Sequence, residues 1–319
     1  MKIVVTGALG HIGSRLIRYL PEEFANAELI LIDDFSTQRY GSLFDLPSAG
    51  HYRFVEQDVL EADLATLFEG ADAVVHLAAR TDAASSVRNQ DEVERVNCHG
   101  TVKVAQACAD VGSPLIFVST TSIYGKQSHW VDESCPLEDL QPQSPYAESK
   151  LRAEQQLGQL SDSHGLRYVT CRFGTIFGIS PGMRFHTAVN KFVWQACAGD
   201  PITVWRTALN QRRPYLDLND AVRAVAILIR KQHFLCDVLN VVTENSTVGE
   251  IVEIIRSHVP DVETVLVDSE IMNQLSYEVC NRKFQALGFD FRGSLPRGIA
   301  ETIRLLKSMR SITEHRRAA

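Results

Sequence analysis

The sequence has no C-x-x-C pair, and its seven cysteines form an odd, scattered set (Cys98, Cys108, Cys135, Cys171, Cys197, Cys236 and Cys280). That spacing argues against a disulfide framework or a cysteine-bound zinc and leaves reduced thiols as the expectation. The ten histidines show no H-E-x-x-H pattern, so no metal is expected. No apolar run is long enough to span a bilayer. No basic stretch with an apolar core precedes the opening Met1–Gly7 run, so no secretory signal is expected. Positive charge is not in excess either. The net charge is -7, which gives no attraction to nucleic acid or to an anionic membrane. These absences together describe a cytoplasmic protein without nucleic-acid or membrane partners.

What is present is a globular composition, 45% hydrophobic and 22% charged over 319 residues, enough for one large unit or two joined lobes. The first half alternates short apolar runs with helical stretches. Strands are expected at Lys2–Thr6, Glu28–Asp33, Tyr52–Glu56, Ala73–Leu77, Pro114–Ser119 and Tyr168–Arg172. Helices are expected over about Ile12–Leu20, Asp91–Val111 and Tyr146–Leu160. Such alternation predicts an α/β fold, a Rossmann-type doubly wound parallel sheet over residues 1–173. After Gly174 the alternation loosens into a loop at Gly178–Arg184, a helix to about Ala198 and short strands at Ile202–Trp205 and Pro214–Asp217. Further helices follow near Asp220–Lys231, Val248–His258 and Leu295–Leu306. Residues 174–319 therefore read as a smaller mixed α/β lobe for the substrate, with some segments returning to the first domain. The polar, basic tail Ser311–Ala319 is expected to fray.

Two constellations carry chemistry. Gly7-Ala8-Leu9-Gly10-His11-Ile12-Gly13 follows a strand and opens a helix, the context in which glycines admit a dinucleotide pyrophosphate against free N–H groups. Asp33 ends the second strand twenty residues after Gly13, where a carboxylate accepts ribose hydroxyls and repels a 2′-phosphate. This points to NAD over NADP. Asp58, followed by Val59, is placed to meet the adenine or to cap a helix. The second constellation is Tyr146 and Lys150, i and i+4 on one helix face behind Pro145. A free tyrosine is too weakly basic at neutral pH, and a neighbouring ammonium favours its phenolate. The pair can then take a hydroxyl proton while hydride leaves. The hydroxyl-rich run Ser119–Gly125 lies at a strand's carboxyl end, where open α/β sheets bind ligands, and Thr120 is the preferred hydroxyl for the reacting oxygen.

Taken with His76-Leu77-Ala78-Ala79 and Asn97, these residues make the chain resemble an extended short-chain dehydrogenase/reductase. Within that family it is similar to nucleotide-sugar epimerases and dehydratases of the UDP-galactose 4-epimerase type, over about residues 1–235. The resemblance implies Thr120, Tyr146 and Lys150 as catalytic, with Lys150 also on the nicotinamide ribose. It implies Leu77, Ala78, Ala79 and Asn97 on the cofactor, and a homodimer built as a four-helix bundle from the helices near 91–111 and 146–160. It implies a nucleotide-sugar substrate beside Thr81, Thr121, Ser122, Gly174, Thr175, Asn190 and Arg213, with Arg213 gripping phosphates.

Similar dehydratases carry acids where this chain has Thr121 and Ser122, which favours oxidation with re-reduction over elimination. The chain departs from the family by having Gly174 where Asn is usual. It also lacks the second phosphate arginine near Met272–Ser276, for which Arg184 is a substitute. The segment Phe177–Val193 resembles a bacterial surface-polysaccharide subgroup that includes GDP-heptose 4-dehydrogenases. Four readings follow: an NAD-dependent epimerase of carbohydrate metabolism acting at a sugar carbon such as C4, a 4-dehydrogenase releasing a keto-sugar, a steroid- or flavonoid-type reductase, and a non-catalytic NAD-binding scaffold.

Overall fold

A computed structural model describes residues 1–125, 127, 130–268 and 276–307. The expected fraying at Ser311–Ala319 lies outside the described residues, as does most of Met272–Ser276. Seven parallel strands form the main sheet in the order β3-β2-β1-β4-β5-β6-β10. They are β1 (Lys2–Thr6), β2 (Glu28–Asp33), β3 (His51–Glu56), β4 (Ala73–His76), β5 (Leu115–Thr120), β6 (Tyr168–Phe173) and, after three strands described below, β10 (Asp237–Val241). The central strands are near-continuous apolar runs because helices cover both faces. The helices His11–Glu23 and Leu218–Lys231 pack on one face, and Leu64–Phe68, Gly100–Val111 and Pro145–His164 on the other. The strand order reverses between β1 and β4, and the carboxyl ends of both open on one crevice, the place where such sheets take ligands.

The smaller lobe has a mixed three-stranded sheet of β7 (Thr175–Phe177), β9 (Arg212–Asp217) and β11 (Glu244–Thr247). A parallel pair, β8 (Ile202–Trp205) and β12 (Thr264–Val267), sits beside it. Its separate core joins the helices Ala188–Ala198, Val248–His258 and Leu295–Lys307. The fold is thus α/β, a Rossmann-like parallel sheet with a smaller mixed C-terminal sheet.

Sequence periodicity missed three things. β10, five residues of DVLNV, completes the main sheet from deep in the second half, and Phe284 and Phe289 return to the main core. The short strands β7, β11 and β12 carried no alternation long enough to read. The helix expected over Asp91–Val111 is not uniform: Gln90–Glu94 passes into a π turn at Arg95–His99 and then into Gly100–Val111. Such a turn absorbs one extra residue without ending the helix. No helix among the described residues is long and apolar enough to cross a membrane.

Candidate active site

The glycine loop is the floor of a cleft of about 430 Å³ lined by Gly7, Gly10, Asp33, Asp58, Val59, Leu77, Ala78, Ala79 and Thr81 among others. Gly7 has φ +65°, and a Cβ there would lie 2.6 Å from the Ala78 amide nitrogen. A Cβ on Gly13 would lie 2.4 Å from the Gly7 carbonyl oxygen. Glycine is therefore required both to turn the loop and to bring the helix against it. The helix His11–Glu23 opens on Gly10, and no side chain caps it. Its unpaired N–H groups suit a pyrophosphate, so these residues fit a dinucleotide. Leu9 and Ile12 turn their side chains into the packing. The His11 side chain meets the Gly178 carbonyl instead of the cleft, at 2.8 Å from Nε2.

Asp33 accepts the Leu9 N–H at 3.0 Å and the Phe35 N–H at 3.1 Å, and burial raises its pKa. Asp58 lies in the cleft and accepts the Leu60 N–H at 2.9 Å within a turn; it caps no helix among the described residues, because Asp63 caps Leu64–Phe68. Behind the cleft Thr6 receives the Leu77 and Ala78 amides, each at 3.3 Å, and meets His76 Nδ1 at 2.7 Å. Asn97, in the π turn, is fully buried and spends its amide on structure. Its Oδ1 accepts the Arg80 N–H at 2.8 Å, and its Nδ2 donates to the Arg80 carbonyl and to Ser149 Oγ. It pins the β4 exit loop to the Pro145–His164 helix.

That helix begins where its caps dictate. Ser144 Oγ accepts the Ala147 N–H at 3.2 Å and Pro145 takes the first position, so Tyr146 falls in the first turn. The Thr120 hydroxyl faces the Tyr146 phenol, where it favours the phenolate, and donates to Ser122 Oγ at 3.1 Å. The phenol is not lowered by Lys150 as the spacing predicts. Burial pushes it up to about 12, and the groups that pull it back are Thr120 and the Arg184 guanidinium. The reason is where Lys150 points. Its Nζ donates to the Val118 carbonyl at 2.9 Å and lies 4.6 Å from the Phe117 ring centre, and burial pulls the ammonium itself down to about 7.

On the opposite wall, Thr121 Oγ1 donates to the Phe173 carbonyl at 3.3 Å and meets Tyr277 Oη at 3.5 Å. Gly174 sits between β6 and β7, and a Cβ there would lie 3.1 Å from the Pro214 oxygen, a tight contact. Thr175 pairs with Tyr215 across β7 and β9. Arg213 turns inward with Nη2 on Gln211 at 3.0 Å, whereas neighbouring Arg212 is outside, paired with Glu278. Arg184 Nη1 donates to Thr81 Oγ1, and Asn190 Nδ2 donates to the Arg184 carbonyl at 2.9 Å. Four buried polar atoms here have no partner among the described residues: Arg184 Nε, Asn190 Oδ1, Arg213 Nε and Tyr215 Oη. Sequence reasoning missed Tyr215 and Tyr277. Tyr215 stands two residues from Arg213 on β9, so strand alternation puts both side chains on one face, a signal that was available. Tyr277 carries no motif at all.

Residues 3–241 match the model of the NAD dependent epimerase/dehydratase family, and the chain belongs to that family. It is an NAD-dependent enzyme of the nucleotide-sugar epimerase/dehydratase group. It is 29% identical over 321 residues to the uncharacterized UDP-glucose epimerase YtcB of Bacillus subtilis (strain 168), covering 97% of this chain and 99% of that protein. It is 26% identical to the trifunctional UDP-glucose 4,6-dehydratase/UDP-4-keto-6-deoxy-D-glucose 3,5-epimerase/UDP-4-keto-L-rhamnose-reductase RHM1 of Arabidopsis thaliana, and spans 46% of that protein's length. Its structure resembles that of a UDP-glucuronic acid 4-epimerase from Bacillus cereus in complex with UDP-glucuronic acid and NAD. The TM-score is 0.86 at 25% identity, covering 97% of this chain and all of the other.

Proposed function

We propose that this enzyme is a nucleotide-sugar 4-epimerase, which takes hydride from C4 and returns it to the other face with Tyr146 as the base. The observation that carries this reading is the meeting of Thr120 and Tyr146 beside the glycine-loop cleft, with Lys150 one helical turn behind. Bound NAD supplies the hydride acceptor and donor. The glycines 7, 10 and 13 cradle its pyrophosphate, Asp33 takes the adenosine ribose, and Asp58 and Val59 take the adenine. Leu77, Ala78 and Ala79 form the wall at the β4 exit, and Lys150 reaches the nicotinamide ribose. Tyr146 removes the proton from the sugar hydroxyl, and Thr120 holds the same oxygen as charge develops on it. The high phenol pKa demands positive charge nearby, and Arg184 already contributes it.

The substrate wall supports the rest. Arg213 and Asn190 present unpartnered buried polar atoms to the nucleotide and sugar, and Thr121 and Ser122 offer hydroxyls where elimination needs acids. We also infer a homodimer in which the 90–111 and 145–164 helices of two copies form a four-helix bundle. A groove of about 960 Å³ lined by Cys98, Val102 and Arg152 runs along that face. We place the protein in the cytosol, where its thiols stay reduced. The second reading, a 4-dehydrogenase, is favoured by the likeness of Phe177–Val193 to the GDP-heptose subgroup.

The test is a panel of UDP-, GDP-, CDP- and dTDP-sugars given to the enzyme without added NAD⁺, with sugar configuration followed by NMR and NADH by absorbance. An epimer formed without net NADH is expected. Keto-sugar with accumulating NADH would establish the dehydrogenase, and no conversion of any member would favour the scaffold.

A further inference from the structure

The segment 178–184 leaves β7 and crosses directly over the glycine loop. His11 Nε2 donates to the Gly178 carbonyl at 2.8 Å. Ser180 Oγ donates to the His11 carbonyl at 2.9 Å, and the Gly182 N–H donates to Ser14 Oγ at 2.9 Å. A Cβ on Gly182 would lie 2.3 Å from the Leu9 oxygen and 2.5 Å from the Gly10 oxygen. Backbone therefore rests on backbone, and the segment is fixed in position over the cradle. Burial holds His11 well down, at about 4, so its imidazole stays neutral and keeps this bond across the physiological range.

The strap ends in Arg184, whose side chain lines the same cleft as Asp33, Ala78 and Thr81. One guanidinium nitrogen is held by Thr81, and Nε is buried without a partner among the described residues. The guanidinium interacts electrostatically both with Asp33, which lines the cleft, and with Tyr146, which lies outside its lining. A dinucleotide with its adenosine ribose at Asp33 and its nicotinamide at Tyr146 has its diphosphate between them. Arg39 and Arg80 crowd Arg184 as well, and the Arg39 Nη1 is also buried without a partner among the described residues. These like charges repel one another, only partly offset by Asp33 near Arg39 and by Glu92 3.5 Å from Arg80, and an anion among them removes the remaining cost. A guanidinium fork suits a diphosphate.

We propose that Arg184 grips the diphosphate of the bound cofactor, not that of the sugar nucleotide, and that the 178–184 strap keeps the cofactor resident. This rests on Asp33 at the adenosine ribose and Tyr146 at the nicotinamide, as read above. It gives Arg184 a role different from the substrate contact that the sequence suggests. It also supplies a physical basis for cofactor retention, which an enzyme that returns its own hydride requires.

The test is calorimetric titration of wild type, Arg184→Ala and Arg184→Lys with NAD⁺, ADP-ribose and UDP, each variant first checked for an unchanged thermal melt. The Ala variant should bind NAD⁺ and ADP-ribose about tenfold or more weakly, the scale of one charged hydrogen bond, with UDP unchanged. The Lys variant should recover part of the loss. Copurified nucleotide, read from absorbance at 260 nm after gel filtration, should fall in the Ala variant. Unchanged NAD⁺ affinity overturns the proposal, and so does any weakening of UDP. None of these titrations needs turnover, so failure of the epimerase reading leaves their outcome untouched.

Discussion

The two walls of the cleft differ in how their polar groups are satisfied. On the β1–β4 wall, Thr6, His76, Asn97 and Asp33 are already bonded to backbone or to each other. On the wall built from the 184–190 segment and β9, Arg184, Asn190, Arg213 and Tyr215 each keep a buried atom without a partner among the described residues. Buried polar groups in native proteins are almost always paired, and each exception needs an explanation. The first wall shapes the loop that receives a ligand common to the whole family. On the reading proposed above, the second keeps polar atoms in reserve for two ligands: Arg184 for the cofactor's diphosphate, and Asn190, Arg213 and Tyr215 for the sugar nucleotide, the ligand that varies across the family. At this site the satisfied networks shape the scaffold, and the unsatisfied atoms of the second wall are the ones left for ligands.

The largest expected effect lies where the walls meet. Tyr146→Phe removes only the phenolic oxygen and should lower turnover about a hundredfold or more while NAD⁺ binding and the thermal melt hold. Near-normal turnover would show that Tyr146 is not the base. Lys150→Ala should cost NAD⁺ affinity, because Lys150 is proposed to reach the nicotinamide ribose, and turnover with it, because a misplaced nicotinamide slows hydride transfer.

The contrast also explains how far the sequence could be read. The glycine loop, Asp33 and the Tyr146–Lys150 pair are each local: a strand end, a turn or one helix face, with spacings that follow from 3.6-residue and two-residue periods. The wall proposed for the substrate draws on β6, β7, the 184–190 segment, β9 and Tyr277, five stretches spread over a hundred residues. No period links them, so only folding brings them together. The motif reading of Arg213 left open which of two adjacent arginines faces in, and the structure has Arg213 inward and Arg212 outward. What spacing misjudged was energetics. Lys150 stands at the right position, yet its nearest polar partner is a carbonyl, and burial sets the pKa of both members of the pair.

The satisfied wall should show itself in stability. His76 is fully buried between Thr6 and Thr101, and burial holds its pKa down at about 3. A folded-state pKa below the unfolded value means that the unfolded chain takes the proton first as pH falls. Stability is therefore intact above about pH 6.5 and is lost progressively between there and about pH 3. By pH 5 this histidine alone should cost about 2 kcal/mol. Denaturant titrations at pH 7 and pH 5 would check it: His76→Gln should lose less stability over that interval than the wild type. An identical loss would mean that His76 is not the group responsible.

The unsatisfied wall makes the next prediction. Arg213→Ala should raise the KM for the sugar nucleotide roughly ten- to hundredfold, the range of a charged hydrogen bond, with NAD⁺ affinity unchanged. If NAD⁺ binding fell instead, the division of the cleft into two walls would be wrong at β9.

The smallest effect tests whether Asp33 belongs wholly to the satisfied wall. Its two oxygens already hold the Leu9 and Phe35 amides, so removing the side chain both loosens the loop and deletes a ribose contact. Asp33→Ala mixes these consequences. Asp33→Asn separates them, because an amide oxygen still accepts a backbone N–H while the charge that repels a 2′-phosphate is gone. NAD⁺ binding should fall roughly fivefold in the Ala variant and less in the Asn variant. NADP⁺ should gain on NAD⁺ in both, and Arg39, which interacts electrostatically with Asp33, would then face the added phosphate without a competing carboxylate. Fluorescence titration of both cofactors against the three proteins measures the ratio. Wild-type protein that binds NADP⁺ as tightly as NAD⁺ would show that Asp33, occupied with its two amides, does not discriminate between the cofactors.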